Sequence, residues 1–260
     1  MKKNKYIAIT GASSGIGYEA AKAFAKRGNN LIVVARNKSK LETLKSEILQ
    51  INEHLDVVIK DVDLLVAENL YNLYNELKCY EIEGWINNAG FGNYQKVSDQ
   101  NLEKIEDMLN LNIRALVILS SLFVHDYKNI EGAKLINISS AGGYTIVPNA
   151  VTYCASKFFV SAFTEGLAME LKEDDAKLQA KVLAPAATKT NFGNIANDIS
   201  NYDYDKSFGR YHTSKEMAEL LIKLYESDKI VGMIDRENFE FKLCNPILSY
   251  AGNSKHNQKI

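Results

Sequence analysis

Cysteine, proline and net charge are all scarce in this chain, and each shortage closes off a class of protein. Of 260 residues only three are cysteine, Cys79, Cys154 and Cys244. They stand far apart, form no C-x-x-C pair and show no ligand spacing with the four histidines, so neither a disulfide framework nor a metal site is expected. An odd cysteine count with no signal peptide points to a reducing compartment, the cytoplasm. The basic start, Met1 to Lys5, leads into an apolar run of only Tyr6 to Ile9, too short for a secretory h-region. No run approaches the ~18 apolar residues that span a bilayer, so no membrane span is expected. The formal net charge is -1, which leaves no electrostatic footprint for nucleic acid or an anionic surface. With three prolines and no Gly- or Ser-rich tract, nothing reads as a linker, and one domain over 1–260 is expected.

What is present is an alternation. The hydrophobic fraction of 46% and charged fraction of 24% are those of an ordinary globular protein. Strand-like runs at 5–10, 31–35, 56–60, 82–87, 134–139 and 179–183 alternate with helical patterns at 16–27, 38–49, 64–78, 102–127, 152–171 and 214–226. Repeated strand–helix units imply an α/β protein, a doubly wound parallel sheet with helices on both faces. Ligands of such sheets bind beyond the carboxyl ends of the strands, and the unusual residues of this chain gather there. The segment 188–213 is polar, tyrosine-rich and without clear periodicity; an irregular stretch of that length is expected to be a substrate loop.

Thr10-Gly11-Ala12-Ser13-Ser14-Gly15-Ile16-Gly17 joins the first strand to the first helix. Glycines there allow a tight turn and close approach of backbone to a pyrophosphate, and the helix N-terminus offers free N–H groups. Arg36 follows the second strand, where an arginine can take a 2′-phosphate, so NADP(H) is favoured over NAD(H). Asp61-Val62 ends the third strand, with Asp61 either at an adenine edge or capping the next helix. Asn87-Asn88-Ala89-Gly90 ends the fourth strand, lining a cofactor ribose or bonding a tight turn. Asn112 is an amide inside a long apolar helix and needs partners.

Tyr153 and Lys157 stand four apart, on one face of a helix. A lysine ammonium beside a phenol favours the phenolate and lowers its pKa, which makes Tyr153 a candidate acid/base. Ser140, thirteen residues before Tyr153, could hold a substrate oxygen; serines at a strand end are otherwise turn formers.

Taken in order, these residues resemble the short-chain dehydrogenase/reductase family, over nearly the whole span from Lys5 to about Leu224. The resemblance implies a Rossmann fold and an enzyme that moves a hydride between NADP(H) and a small carbonyl or alcohol substrate. It also implies roles by position. Tyr153 matches the acid/base and Lys157 the residue that lowers its pKa and binds the nicotinamide ribose. Ser140 matches the holder of the substrate oxygen, and Asn112 the support of a proton relay. Gly11, Ser13, Ser14, Gly15, Ile16 and Gly17 fall in the cofactor loop. Asp61 and Val62 lie at the adenine; Asn88, Ala89 and Gly90 lie beside the ribose. Pro185, Thr188 and Thr190 approach the nicotinamide. Ala186 departs from the family's usual glycine, so the local turn is expected to differ. The tail 231–260 does not read like the common reductase ending.

Tyr94, Tyr144 and Asn149, with Ser140, are the expected substrate residues; together with Phe91 and Val147 they suggest aromatic walls. Relatives of this kind often pair through helices matching 102–127 and 152–171, so a homodimer or homotetramer is expected. A different reading, a non-enzymatic NADPH-binding sensor on the same fold, is opposed by the complete Ser140, Tyr153, Lys157 and Asn112 set.

Overall fold

In a computed structural model that describes residues 5–251, ten strands and nine α-helices alternate along the chain. The strands are β1 (Lys5–Thr10), β2 (Asn30–Ala35), β3 (Val57–Asp61), β4 (Glu81–Asn87), β5 (Lys134–Ile138), β6 (Gln179–Ala184), β7 (Thr188–Lys189), β8 (His212–Thr213), β9 (Val231–Ile234) and β10 (Phe241–Cys244). The helices are α1 (Gly15–Lys26), α2 (Lys38–Ile51), α3 (Ala67–Leu77), α4 (Leu102–Leu109), α5 (Leu116–Tyr127), α6 (Val151–Glu173), α7 (Phe192–Asn197), α8 (Tyr204–Ser207) and α9 (Ser214–Glu226). The main sheet runs β10-β9-β6-β5-β4-β1-β2-β3, parallel throughout except for β10, which lies antiparallel to β9.

The strand pleat explains the two-sided core. Ile7 and Ile9 of β1 and Leu31 and Val33 of β2 face a cluster built with α1, α2 and α9. Tyr6, Ala8, Ile32 and Val34 point the opposite way, into a cluster with α3, α5 and α6. Both faces are covered, so these strands are apolar at nearly every position. Each fully buried Leu or Ile contributes about 1.5–3 kcal/mol. One polar chain crosses this core. Trp85 Nε1 donates to Asn87 Oδ1 at 2.9 Å, Asn87 Nδ2 donates to Ser120 Oγ at 3.0 Å and to Asn137 Oδ1 at 2.9 Å, and Asn137 Nδ2 donates to Thr164 Oγ1 at 3.0 Å.

Two expectations are corrected here. The stretch 102–127 is not one uniform α-helix: between α4 and α5 the residues Asn110–Ala115 form a π-helical segment. By length and composition alone the stretch is apolar enough to cross a bilayer; in the fold it is a core element, with Leu116, Leu119, Ser120 and Phe123 buried. The segment 188–213 is not irregular. It holds α7 and α8, and its ends pair as a two-stranded parallel ladder, Thr188 with His212 and Lys189 with Thr213.

The tail adds β9 and β10 and then returns to α6. There the buried Glu165 carboxylate accepts Tyr144 O–H at 2.5 Å, Ile247 N–H at 2.5 Å and Leu248 N–H at 2.8 Å. Residues 252–260 lie outside the described residues.

Candidate active site

The carboxyl ends of the parallel strands open into a cleft of about 780 Å³, within the usual size of a ligand site. Its floor at one end is the β1–α1 turn. Gly11 and Gly15 take left-handed backbone angles, φ 67° and 61°, which only glycine adopts without strain. Ser14 precedes α1 but makes no side-chain capping bond. Its hydroxyl and the first N–H groups of the helix are thus left for a ligand. Ser13, Ser14, Gly15 and Ile16 line the cleft. Gly17 does not; a Cβ there would lie 2.5 Å from Asn88 Nδ2 and 2.6 Å from Gly11 O, so its smallness serves the seating of α1 against the turn.

Asn88 lines the cleft with Ala89 and Gly90, and its amide is committed to the turn. Asn88 Nδ2 donates to Thr10 O at 3.0 Å and Gly11 O at 3.2 Å, while Thr10 Oγ1 accepts the Asn88 and Ala89 N–H groups, each at 3.0 Å. Arg36 lies at the end of β2 on the cleft wall, exposed, with no hydrogen bond or ion pair among the described residues. At the end of β3 the expectation divides. Val62 lines the cleft and Asp61 does not; successive side chains of a strand point to opposite sides, and Asp61 is exposed. Nor does Asp61 cap α3, whose cap residue is Val66. Asp63 is on the cleft wall instead.

At the other end the reactive groups converge. Ser140 caps the short 3₁₀ turn Ala141–Gly143, its Oγ accepting Gly142 N–H at 3.0 Å. The same hydroxyl lies within hydrogen-bonding reach of the Tyr153 phenol. Tyr153 and Lys157, both 6% exposed, project from the first turns of α6. Lys157 Nζ donates to Ile138 O at 2.9 Å and stands 6.0 Å from the Tyr153 ring centre. Asn112 is behind the wall. Its Nδ2 donates to Phe91 O at 2.9 Å and Ser156 Oγ at 3.2 Å, and its Oδ1 accepts Phe91 N–H at 3.1 Å. The π segment carries Asn112 to this position, a frequent setting of such turns.

The electrostatics reverse one expectation. Burial pushes the Tyr153 phenol well above its ordinary value, with the Ser140 hydroxyl pulling the other way. Burial alone brings Lys157 down to about 8. In the resting site burial outweighs the lysine, whose Nζ stands 6.0 Å from the ring centre and donates to the Ile138 carbonyl. The phenol therefore holds its proton at neutral pH, as an acid must.

Tyr94 is in the cleft, 6.1 Å from the Tyr153 ring centre, and Phe192 of α7 is 5.4 Å from it. Tyr144 and Asn149 are not. The Tyr144 ring turns toward α6 to reach Glu165. Asn149 is exposed at φ 61°, where it supplies the left-handed residue before α6. Pro185, Ala186, Thr188 and Thr190 all line the cleft. Ala186 is not at positive φ, so the turn is made without the conformation that glycine would permit. Tyr202, Tyr204 and Phe208 also reach the wall, packed on one another as a lid. Sequence reasoning did not name Asp63, Asp107, Arg210 or Arg236 on this wall; the 188–213 segment signalled Arg210 and the unusual tail signalled Arg236.

A family model for the short chain dehydrogenases matches residues 5–199. The chain belongs to that family. It is 28% identical over 231 residues to dehydrogenase/reductase SDR family member 11 of Homo sapiens, across 85% of this chain and 88% of the relative. Among solved structures, a short-chain dehydrogenase from Sphingobium yanoikuyae in complex with NADPH superimposes with TM-score 0.79 at 27% identity, covering 90% of this chain and 89% of that one. The bulky-bulky ketone specific alcohol dehydrogenase from Comamonas testosteroni gives TM-score 0.76 at 26% identity, covering 90% and 86%. As a short-chain dehydrogenase the chain is an oxidoreductase.

Proposed function

We propose that this short-chain dehydrogenase interconverts a carbonyl compound and its alcohol, with NADP(H) as its cofactor. The observation that carries the reading is the convergence of Ser140, Tyr153 and Lys157 at one end of a cleft whose other end holds Arg36 and the free N-terminus of α1. The residues fit a dinucleotide. Glycines at 11 and 15 leave the phosphate cradle open, and Arg36 has no competing partner among the described residues. The Sphingobium relative is a complex with NADPH, which supports the same choice.

NADPH, when bound, supplies the hydride. The chain's own groups handle the oxygen. The Ser140 hydroxyl donates to the substrate carbonyl oxygen, since its lone pair already takes Gly142 N–H. Tyr153 gives its phenolic proton to that oxygen as the alcohol forms. Lys157, charged once a phenolate appears beside it, offsets the negative charge. Asn112 pins the backbone of Phe91 on both its N–H and its C=O, which fixes the wall beside the reacting carbon. Phe91, Tyr94, Phe192 and Tyr202 make that wall aromatic, suited to a hydrophobic or aromatic carbonyl. The ketone preference in the Comamonas relative's name supports this choice of class.

Leu102, Val151 and Phe159 are exposed apolar residues on α4 and α6; a homodimer or homotetramer would cover them, and sedimentation at micromolar concentration tests it. For the activity, carbonyl compounds are screened with NADPH by nicotinamide absorbance. Tyr153→Phe should lower turnover by about 10²–10⁴ and leave NADPH binding intact. Near-normal turnover in that variant sinks the assignment. Tight NADPH binding by the wild type with no turnover on any carbonyl would favour the sensor.

A further inference from the structure

Two cations on the cleft wall are unused by this chemistry. Arg210 comes from the lid and Arg236 from the turn between β9 and β10. Arg236 follows β9, five strand steps along the sheet from β2 and Arg36.

The β9–β10 turn is built to stay over the cleft. Asp235 Oδ1 accepts Glu237 N–H at 2.8 Å and Asn238 N–H at 3.2 Å, and Lys242 Nζ donates to Asp235 Oδ2 at 2.6 Å. Phe239 sits at φ 63°. That conformation is costly for a bulky side chain, and such strain gathers at ligand clamps. Its ring stacks on His212 at 4.7 Å, with the planes 15° apart. Arg210 Nη1 donates to Asn238 O at 3.3 Å. Lid base and turn are therefore one unit. That unit stands beside the start of α1: His212 pairs with Thr188 and Thr213 with Lys189, and a Cβ on Gly15 would lie 3.1 Å from Thr190 Cγ2. Phe239 packs on the α1–α9 side of the sheet, whereas Tyr153 belongs to a separate cluster with Met108 and Ala150. The turn that carries Arg236 thus lies on the α1 side of the sheet, apart from the cluster that holds Tyr153.

We infer that Arg210 and Arg236 form a clamp on the diphosphate bridge of the dinucleotide, closing from the lid over the anion held by the α1 N-terminus. The inference rests on the proposed cofactor reading. Arg236 makes no hydrogen bond or ion pair among the described residues, so Arg236→Gln should leave the fold unchanged. Arg210→Gln also loosens the turn.

Binding of NADP⁺, NAD⁺ and adenosine 2′-monophosphate is measured by calorimetry for the wild type, Arg236→Gln and the double variant Arg210→Gln/Arg236→Gln. The clamp predicts a loss of roughly threefold for the single and tenfold for the double variant. The same factor should apply to NADP⁺ and NAD⁺, with 2′-monophosphate binding unchanged and a shallower salt dependence. Arg36→Gln provides the contrast, losing NADP⁺ and the 2′-monophosphate only. Unchanged dinucleotide affinities in the double variant overturn the clamp, as does an effect confined to the substrate KM. Failure of the wild type to bind either dinucleotide overturns the cofactor reading itself, before any variant is compared.

Discussion

Removing the Glu165 carboxylate should detach the tail from α6, and the cost can be worked from three bonds. Glu165 is 2% exposed and accepts Tyr144 O–H, Ile247 N–H and Leu248 N–H. Hydrogen bonds to a charged acceptor contribute about 1.5–3 kcal/mol each, a gross ~5–9 kcal/mol. In Glu165→Ala much of that returns. Ile247 is exposed, so the two freed amides reach water as the tail lifts. The Tyr144 hydroxyl is left with Ser161, the other side chain within hydrogen-bonding reach. A net loss of about 2–4 kcal/mol is expected, read as a fall in Tm of roughly 4–16 °C for a domain of this size. Glu165→Gln keeps a carbonyl oxygen for the two amides and should cost only about 1 kcal/mol, the charge assistance. Hydrogen exchange supplies the local readout. The Ile247 and Leu248 amides should be protected in the wild type and exchange freely in Glu165→Ala. A denaturation midpoint within about 0.5 kcal/mol of wild type, or unprotected amides in the wild type, would refute the tether.

Other outcomes follow from the cleft. Ser140→Ala should lower kcat/KM by about 10²–10³ through loss of a donor to the developing oxyanion, with NADPH affinity unchanged by calorimetry. Gly17→Ala places a methyl 2.5 Å from Asn88 Nδ2 and 2.6 Å from Gly11 O; overpacking of about 1–3 kcal/mol should appear in urea unfolding together with weakened dinucleotide binding. Stability should rise with pH between about 8 and 10; above about 10 buried phenols such as Tyr74, Tyr153 and Tyr225, pushed up by burial, reverse the sign. Burial depresses Lys157 and Lys181 to about 8 from 10.5, so the folded state binds fewer protons than the unfolded chain. Their full contribution is present above 10.5 and is lost as pH falls through 8. Urea midpoints across this range test the sign, with Lys157→Met flattening part of the slope.

The strand and helix alternation was legible because both faces of the sheet are covered, which forces near-continuous apolar runs such as Leu31–Ala35. The cofactor turn was legible because glycine is needed at Gly11 and Gly15 for backbone reasons. Three features were not. A π turn differs from an α turn by one hydrogen-bond register, and Leu111-Asn112-Ile113 reads the same in either. The lid helices α7 and α8 are too short to show a helical period. Asp61, Tyr144 and Asn149 have the right chemistry beside the right motif, but side-chain direction decided each. A strand pleat turned Asp61 away, a buried carboxylate drew Tyr144 to α6, and a left-handed turn fixed Asn149 outside.

The polar chain Trp85–Asn87–Asn137–Thr164 has a consequence for how the protein finds its topology. Asn87 of β4 pairs directly with Asn137 of β5 in the sheet register, and Ser120 and Thr164 complete the set from two different helices. Parallel apolar strands are nearly interchangeable as far as burial is concerned, so sliding one past another costs little in apolar area. A slip of one residue here would turn Asn87 or Asn137 to the opposite face and bury several amide and hydroxyl groups without partners, at about 1–3 kcal/mol each. The chain thus acts as a checksum on strand pairing: collapsed states with the right apolar pattern but the wrong alignment are rejected.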